Sequence, residues 1–104
     1  MKLPLLAQEM KRKVSLLFKD GVKAKQSVKL KRGLILTLSL QKTDTGKYWM
    51  LCLERKNSLP SDREVIICQN AFFTEPPLRR INTRDSVILI WKAKDEENTS
   101  SVVH

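Results

Sequence analysis

The 104-residue chain is long enough for one domain with a modest hydrophobic core, and too short for an active-site cleft between two domains. Apolar residues make up 41% of the chain, which excludes a wholly disordered protein, and 20 basic against 11 acidic residues give a formal net charge of +9. The charge is uneven, because residues 1–58 hold 14 basic and 4 acidic side chains, whereas residues 59–104 hold 6 and 7. We therefore expect the first half to form a basic surface that attracts polyanions.

The N-terminal segment predicts a short helix followed by a first strand. Pro4 suits a first helical turn and apolar residues follow it at helical spacing, so residues 3–13 are expected to be helical. From Val14 onward apolar residues alternate with polar ones, which predicts a strand over residues 13–18. Leu17 interrupts this alternation.

Three glycine-containing turns then divide the chain into alternating strands as far as residue 55. The turns are Lys19–Gly21, Lys31–Gly33 and Thr43–Gly46, and each of them suits a hairpin. The registers they imply are Val28 opposite Leu36, then Leu40 opposite Trp49, Leu38 opposite Leu51 and Leu36 opposite Leu53. Because all three turns place the apolar residues on one face, residues 13–55 predict a four-stranded antiparallel meander with its leucines buried.

The second half of the chain is less regular. Ser61 and Glu64 match a helix capping box, but the β-branched run that follows favours a strand over residues 64–69, which is the interpretation we adopt. Residues 74–86 predict a connection rich in polar residues and proline. Residues 87–91 predict a last strand, apolar on both sides and therefore central in the sheet or covered on both faces.

These elements together predict a mainly β fold, a small antiparallel meander that closes with one or two further strands into a barrel or curled sheet. An OB-like barrel, an SH3-like barrel and a sheet backed by a helix all satisfy the pattern. We expect residues 1–94 to form a single basic β domain and residues 95–104 to form a flexible acidic tail.

The candidate functional site is the sheet face opposite the leucines. Alternation places six lysines and one tyrosine there, and a nearby loop adds two arginines; the set is Lys13, Lys19, Lys23, Lys25, Lys29, Lys31, Tyr48, Arg79 and Arg80. Lysines two residues apart on a strand are ~6.5–7 Å apart, roughly the phosphate spacing of a nucleic-acid strand. A basic groove with an aromatic platform is typical of proteins that bind single strands with little sequence preference.

The pattern therefore predicts a non-catalytic protein that binds single-stranded nucleic acid or RNA. The alternatives are a subunit whose basic face docks on an acidic protein partner, and peripheral attachment to an anionic membrane. Catalysis is not expected, because the only histidine is His104 at the end of the chain and the carboxylates show no paired spacing. For the same reason we expect neither a metal site nor a cofactor.

The cysteines and the N-terminus predict a location in the cytoplasm, or in the nucleus if the source has one. Cys52 and Cys68 lie in apolar surroundings without CxxC spacing, which predicts buried thiols in a reducing compartment and leaves a disulfide between them open. The first apolar run stops at Ala7, too short for a secretory signal, and no stretch approaches the ~20 apolar residues of a membrane span.

Overall fold

A computed structural model of the chain describes residues 3–17, 24–29, 35–43 and 45–93, with the side chains of α1 described over residues 5–12. The elements in chain order are α1 (Leu3–Leu17), β1 (Ala24–Lys29), β2 (Ile35–Lys42), β3 (Tyr48–Glu54), α2 (Asp62–Phe72), β4 (Arg79–Asn82) and β5 (Ser86–Lys92). The five strands form one antiparallel sheet in the order β1-β2-β3-β5-β4. Within the described residues the sheet has β1 and β4 as its two edges and is not closed into a barrel. Neither described helix is long and apolar enough to cross a membrane.

The hydrophobic core lies between one face of the sheet and both helices. Alternation along the three central strands directs every second residue to this face, and the five leucines expected to be buried are fully inaccessible: Leu36, Leu38, Leu40, Leu51 and Leu53. Helix α1 adds Ala7 and Met10, and helix α2 adds Val65, Cys68 and Phe72. The core prediction is therefore confirmed, and the helices cover the face that the leucines define.

The first predicted strand is wrong, because residues 14–17 belong to helix α1. Leu17, which interrupts the alternation, continues the helical series through Met10 and Val14. The helix is thus longer than the expected 3–13, and among the described residues the meander has three strands rather than four. The turn predicted at Lys19–Gly21 lies outside the described residues.

The register between β1 and β2 is confirmed, whereas the register between β2 and β3 differs from the prediction by two residues. Val28 lies opposite Leu36 as expected, but Leu40 lies opposite Leu51 instead of Trp49. The Thr43 N–H donates to the Tyr48 carbonyl at 3.0 Å, so the loop comprises residues 44–47 instead of 43–46. A shift by an even number of residues leaves every side chain on its predicted face, so the core is unchanged.

Residues 64–69 form part of helix α2, and the predicted strand there is wrong. The capping box is complete, because the Ser61 N–H donates to the Glu64 carboxylate at 2.8 Å and the Glu64 N–H donates to the Ser61 hydroxyl at 3.2 Å. Glu64 also forms an ion pair with Arg55, which follows β3. These contacts satisfy donors at the helix start and outweigh the weak helix propensity of the β-branched residues.

The connection predicted over residues 74–86 contains strand β4, which corrects the expectation that Arg79 and Arg80 lie in a loop. A strand of four residues with a single apolar side chain shows no alternation, so its sequence carries no strand signal. Pairing begins where the Leu78 N–H donates to the Ile90 carbonyl at 2.7 Å. Strand β5 accordingly lies between β3 and β4, the central position predicted for it.

Candidate nucleic-acid interface

The sheet face turned away from α1 and α2, called the open face below, carries the candidate site. It is defined by the row of cross-strand partners Lys25, Ser39, Cys52, Ile88 and Ile81, which crosses all five strands. On one side of that row lies a second, formed by Gln41, Met50, Ile90 and Arg79. On the other side lies a third, formed by Ser27, Thr37, Glu54 and Ser86. Alternation assigns all these residues to the face opposite the leucines.

Four of the nine predicted site residues come together on the open face. Lys25 and Lys29 are exposed on β1, Tyr48 is exposed at the start of β3, and Arg79 is exposed on β4. The lysines line one edge of the sheet and Arg79 lies at the other, about 19 Å away across four strand spacings. The open face is therefore flanked by cations on both edges.

Of the other five predicted residues, two lie elsewhere in the fold and three lie outside the described residues. Arg80 points to the helix side, where its guanidinium contacts the Asp62 carboxylate at 3.1 Å. Lys13 belongs to helix α1, which corrects its placement on a strand. Lys19, Lys23 and Lys31 lie outside the described residues.

Sequence reasoning missed two features of the open face. Lys92 is exposed directly opposite Tyr48, which adds a cation beside the aromatic ring. The centre of the face is apolar, because Met50, Ile88 and Ile90 lie half-buried beside one another on β3 and β5. The sequence of β5 does indicate an apolar centre, because the strand is apolar on both sides. That pattern, however, favoured a strand covered on both faces over a strand with one open apolar face.

The two tryptophans take no part in the open face. Trp49 and Trp91 are buried on the helix side, where the Phe73 ring stacks on Trp91 with centroids 3.9 Å apart. The Lys11 ammonium of helix α1 lies 4.1 Å from the Phe73 ring centroid. Burial lowers the pKa of Lys11, against a smaller opposing effect of Glu75. We interpret this cluster as packing that holds α1 on the sheet.

The cysteines lie on opposite sides of the sheet. Cys68 is buried in the core, as expected, and burial raises the pKa of its thiol to about 11. Cys52 belongs to the open face and is half-buried rather than buried, which corrects its expected environment. The intervening sheet separates the two thiols. Within the described part of the chain, no three His, Cys, Asp or Glu side chains are grouped as metal ligands would be.

Comparisons with protein-family models, with curated proteins and with solved structures found no match to this chain. We therefore infer a function from the geometry and charge of the open face.

Proposed function

We propose that the protein binds single-stranded nucleic acid on the open face and does not catalyse a reaction. The observation that carries the proposal is the exposure of Lys25, Lys29 and Arg79 on the same sheet face as Tyr48. Lysine and arginine supply phosphate contacts, which provide most of the affinity and depend little on base sequence. The tyrosine ring supplies a surface on which a base stacks.

The spacing of the cations suits an extended polynucleotide. Lys25 and Lys29 are four residues apart on β1, so their Cα atoms are separated by about 13–14 Å, roughly two phosphate steps. The phosphates follow β1 in this arrangement, and the bases extend across the sheet toward β5. Arg79 and Lys92 contact the nucleic acid on the β4–β5 side of the open face, where it leaves the sheet.

The apolar centre favours a single strand over a duplex. Unpaired bases expose flat apolar surfaces, which pack on Met50 and Ile90 and stack on Tyr48. In a duplex the bases are stacked on one another and cannot lie on the sheet. We therefore expect single-stranded RNA or DNA to bind more tightly than a duplex of the same length.

A second candidate function is docking on an acidic protein partner. The apolar centre favours it, because protein interfaces combine an apolar middle with a polar or charged rim. The peptide that would occupy the face then needs acidic residues beside an apolar segment. This candidate becomes the leading one if the protein binds no nucleic acid.

The test is a fluorescence-anisotropy titration of the full chain against labelled 12-nucleotide RNA, single-stranded DNA and duplex DNA, at 50 and 200 mM KCl. We expect the single strands to bind more tightly than the duplex, and all affinities to fall as salt rises. Absence of binding to every oligonucleotide at 50 mM KCl would overturn the proposal. Equal affinity for single strands and duplex would contradict the stacking of bases on the sheet.

A further inference from the structure

Glu54 is the one acidic side chain on the open face among the described residues. It is exposed at the end of β3, and its cross-strand neighbours on that face are Thr37 and Ser86. The next residue, Arg55, turns to the helix side and pairs with Glu64. The Glu54 carboxylate therefore forms no ion pair with a described residue, although cations line both edges of the same face.

This position puts the carboxylate beside the apolar centre. Glu54 and Cys52 are two residues apart on β3, so their Cα atoms are ~6.5–7 Å apart on the same face. A base that lies over Cys52 and Ile88 presents one edge toward Glu54. A carboxylate repels phosphate, so its place on the central strand, between the cations of the two edges, suits contact with a base and not with the backbone.

The chemistry of the carboxylate distinguishes the bases. An ionised carboxylate accepts hydrogen bonds and donates none. On the Watson–Crick edge, which is free in a single strand, guanine presents two adjacent donors, N1–H and N2–H, that one carboxylate accepts together. Uracil presents a single N–H between two carbonyl oxygens, and adenine and cytosine each present an amino group beside an acceptor nitrogen. Guanine is therefore the only base that offers the carboxylate a paired, charge-assisted contact.

We propose that Glu54 makes the open face select guanine in the bound single strand by accepting hydrogen bonds from N1–H and N2–H. This inference rests on the proposed function, because it concerns the same face. It adds one position of base selectivity to a contact that otherwise depends on phosphates and stacking. A paired base contact discriminates against the wrong base by about tenfold or more.

The test uses four labelled RNA 11-mers in anisotropy titrations at 50 mM KCl: uridine throughout, and the same strand with a central guanosine, inosine or adenosine. Inosine keeps N1–H and lacks the N2 amino group, so it removes one of the two donors. The variants are Glu54→Gln and, as a matched control, Glu9→Gln. Glu9 is exposed on helix α1, so its substitution changes the net charge equally and leaves the open face intact. The comparison is the ratio of affinities between oligonucleotides, which a uniform change in charge does not alter.

For the unsubstituted protein we expect the guanosine strand to bind about tenfold more tightly than the uridine strand, with the inosine strand in between and the adenosine strand near uridine. Glu54→Gln should lower the guanosine-to-uridine ratio, because the amide loses the negative charge and keeps one acceptor oxygen for the two guanine donors. Glu9→Gln should keep the ratio. Equal binding of all four strands, or a guanosine preference that Glu54→Gln leaves undiminished, overturns the guanine assignment and leaves the proposed function standing. Absence of binding to all four strands overturns both.

Discussion

Tyr48 and Lys92 lie directly opposite each other on β3 and β5, at the same end of the open face. The tyrosine is 40% exposed, so its ring presents an accessible flat surface, and Lys92 places a cation next to it. The two residues are 44 positions apart in sequence, and only the pairing of β3 with β5 brings them together. A base stacked on the ring would therefore lie beside a phosphate-binding group.

Replacement of Tyr48 by alanine should weaken binding of a single strand by ~1–3 kcal/mol, because a stacked base loses its aromatic platform. Tyr48→Phe is the matched control and should retain most of the affinity, since it keeps the ring. Both variants should unfold at urea concentrations close to that of the unsubstituted protein, because the side chain is exposed. The affinities are measured by anisotropy with the same labelled RNA. Equal affinity of Tyr48→Ala and the unsubstituted protein would show that no base stacks on this ring.

Replacement of Ser61 by alanine tests the start of helix α2. The Ser61 hydroxyl accepts from the Glu64 N–H, so its loss should lower the free energy of unfolding by about 0.5–2 kcal/mol. Ser58→Ala, in the exposed loop before the helix, is the matched control and should change it by less than about 0.5 kcal/mol. Urea denaturation, monitored by circular dichroism, measures the free energy of unfolding of both variants. Equal stability of the two variants would contradict the capped helix.

The two thiols should differ in reactivity in the folded protein. The pKa of Cys68 is about 11, so at pH 8 roughly one part in a thousand of this buried thiol is the reactive thiolate. We expect the Cys52→Ala variant, which retains Cys68, to react with 5,5′-dithiobis(2-nitrobenzoic acid) more slowly than Cys68→Ala, because Cys68 is buried and Cys52 is half-buried. The rate at Cys68 should increase with pH up to about 11, because deprotonation limits it. In denaturing urea the two variants should react alike, and similar rates in the folded state would contradict the burial of Cys68.

The central strands could be predicted from the sequence because several local signals agree there. In β2 leucines alternate with Thr37 and Ser39, and in β3 large apolar residues recur at Trp49, Leu51 and Leu53, which fixes the side of the sheet that each residue faces. The exact position of the hairpin loop between them could not be predicted, because loops shifted by one residue change the register by two and leave every side chain on the same face.

The flanking elements were harder because their signals conflict or are weak. Residues 64–69 combine a capping box with β-branched residues, and the completed box, the Arg55–Glu64 ion pair and the burial of Val65 together favour the helix. Strand β4 is short and polar, so pairing with β5 determines it. Two of the four exposed cations described on the open face lie on β4 and β5, whose pairing the sequence did not predict. Lys25 and Lys29 on β1 were therefore predicted on this face, while Lys92 was missed.

The central claim is that nucleic-acid phosphates contact the lysines of β1, and the most direct test is the salt dependence of binding by Lys25→Ala/Lys29→Ala. The matched control is Arg12→Ala/Arg63→Ala, which removes two exposed cations from the helices on the opposite side of the sheet. Each phosphate contact contributes about 0.7 to the slope of log K against log salt for a single strand. We predict that the lysine variant binds RNA more weakly and that its slope is smaller in magnitude by about 1.4, while the control keeps a slope close to that of the unsubstituted protein. An unchanged slope in the lysine variant, or an equal loss of slope in the control, would contradict the account.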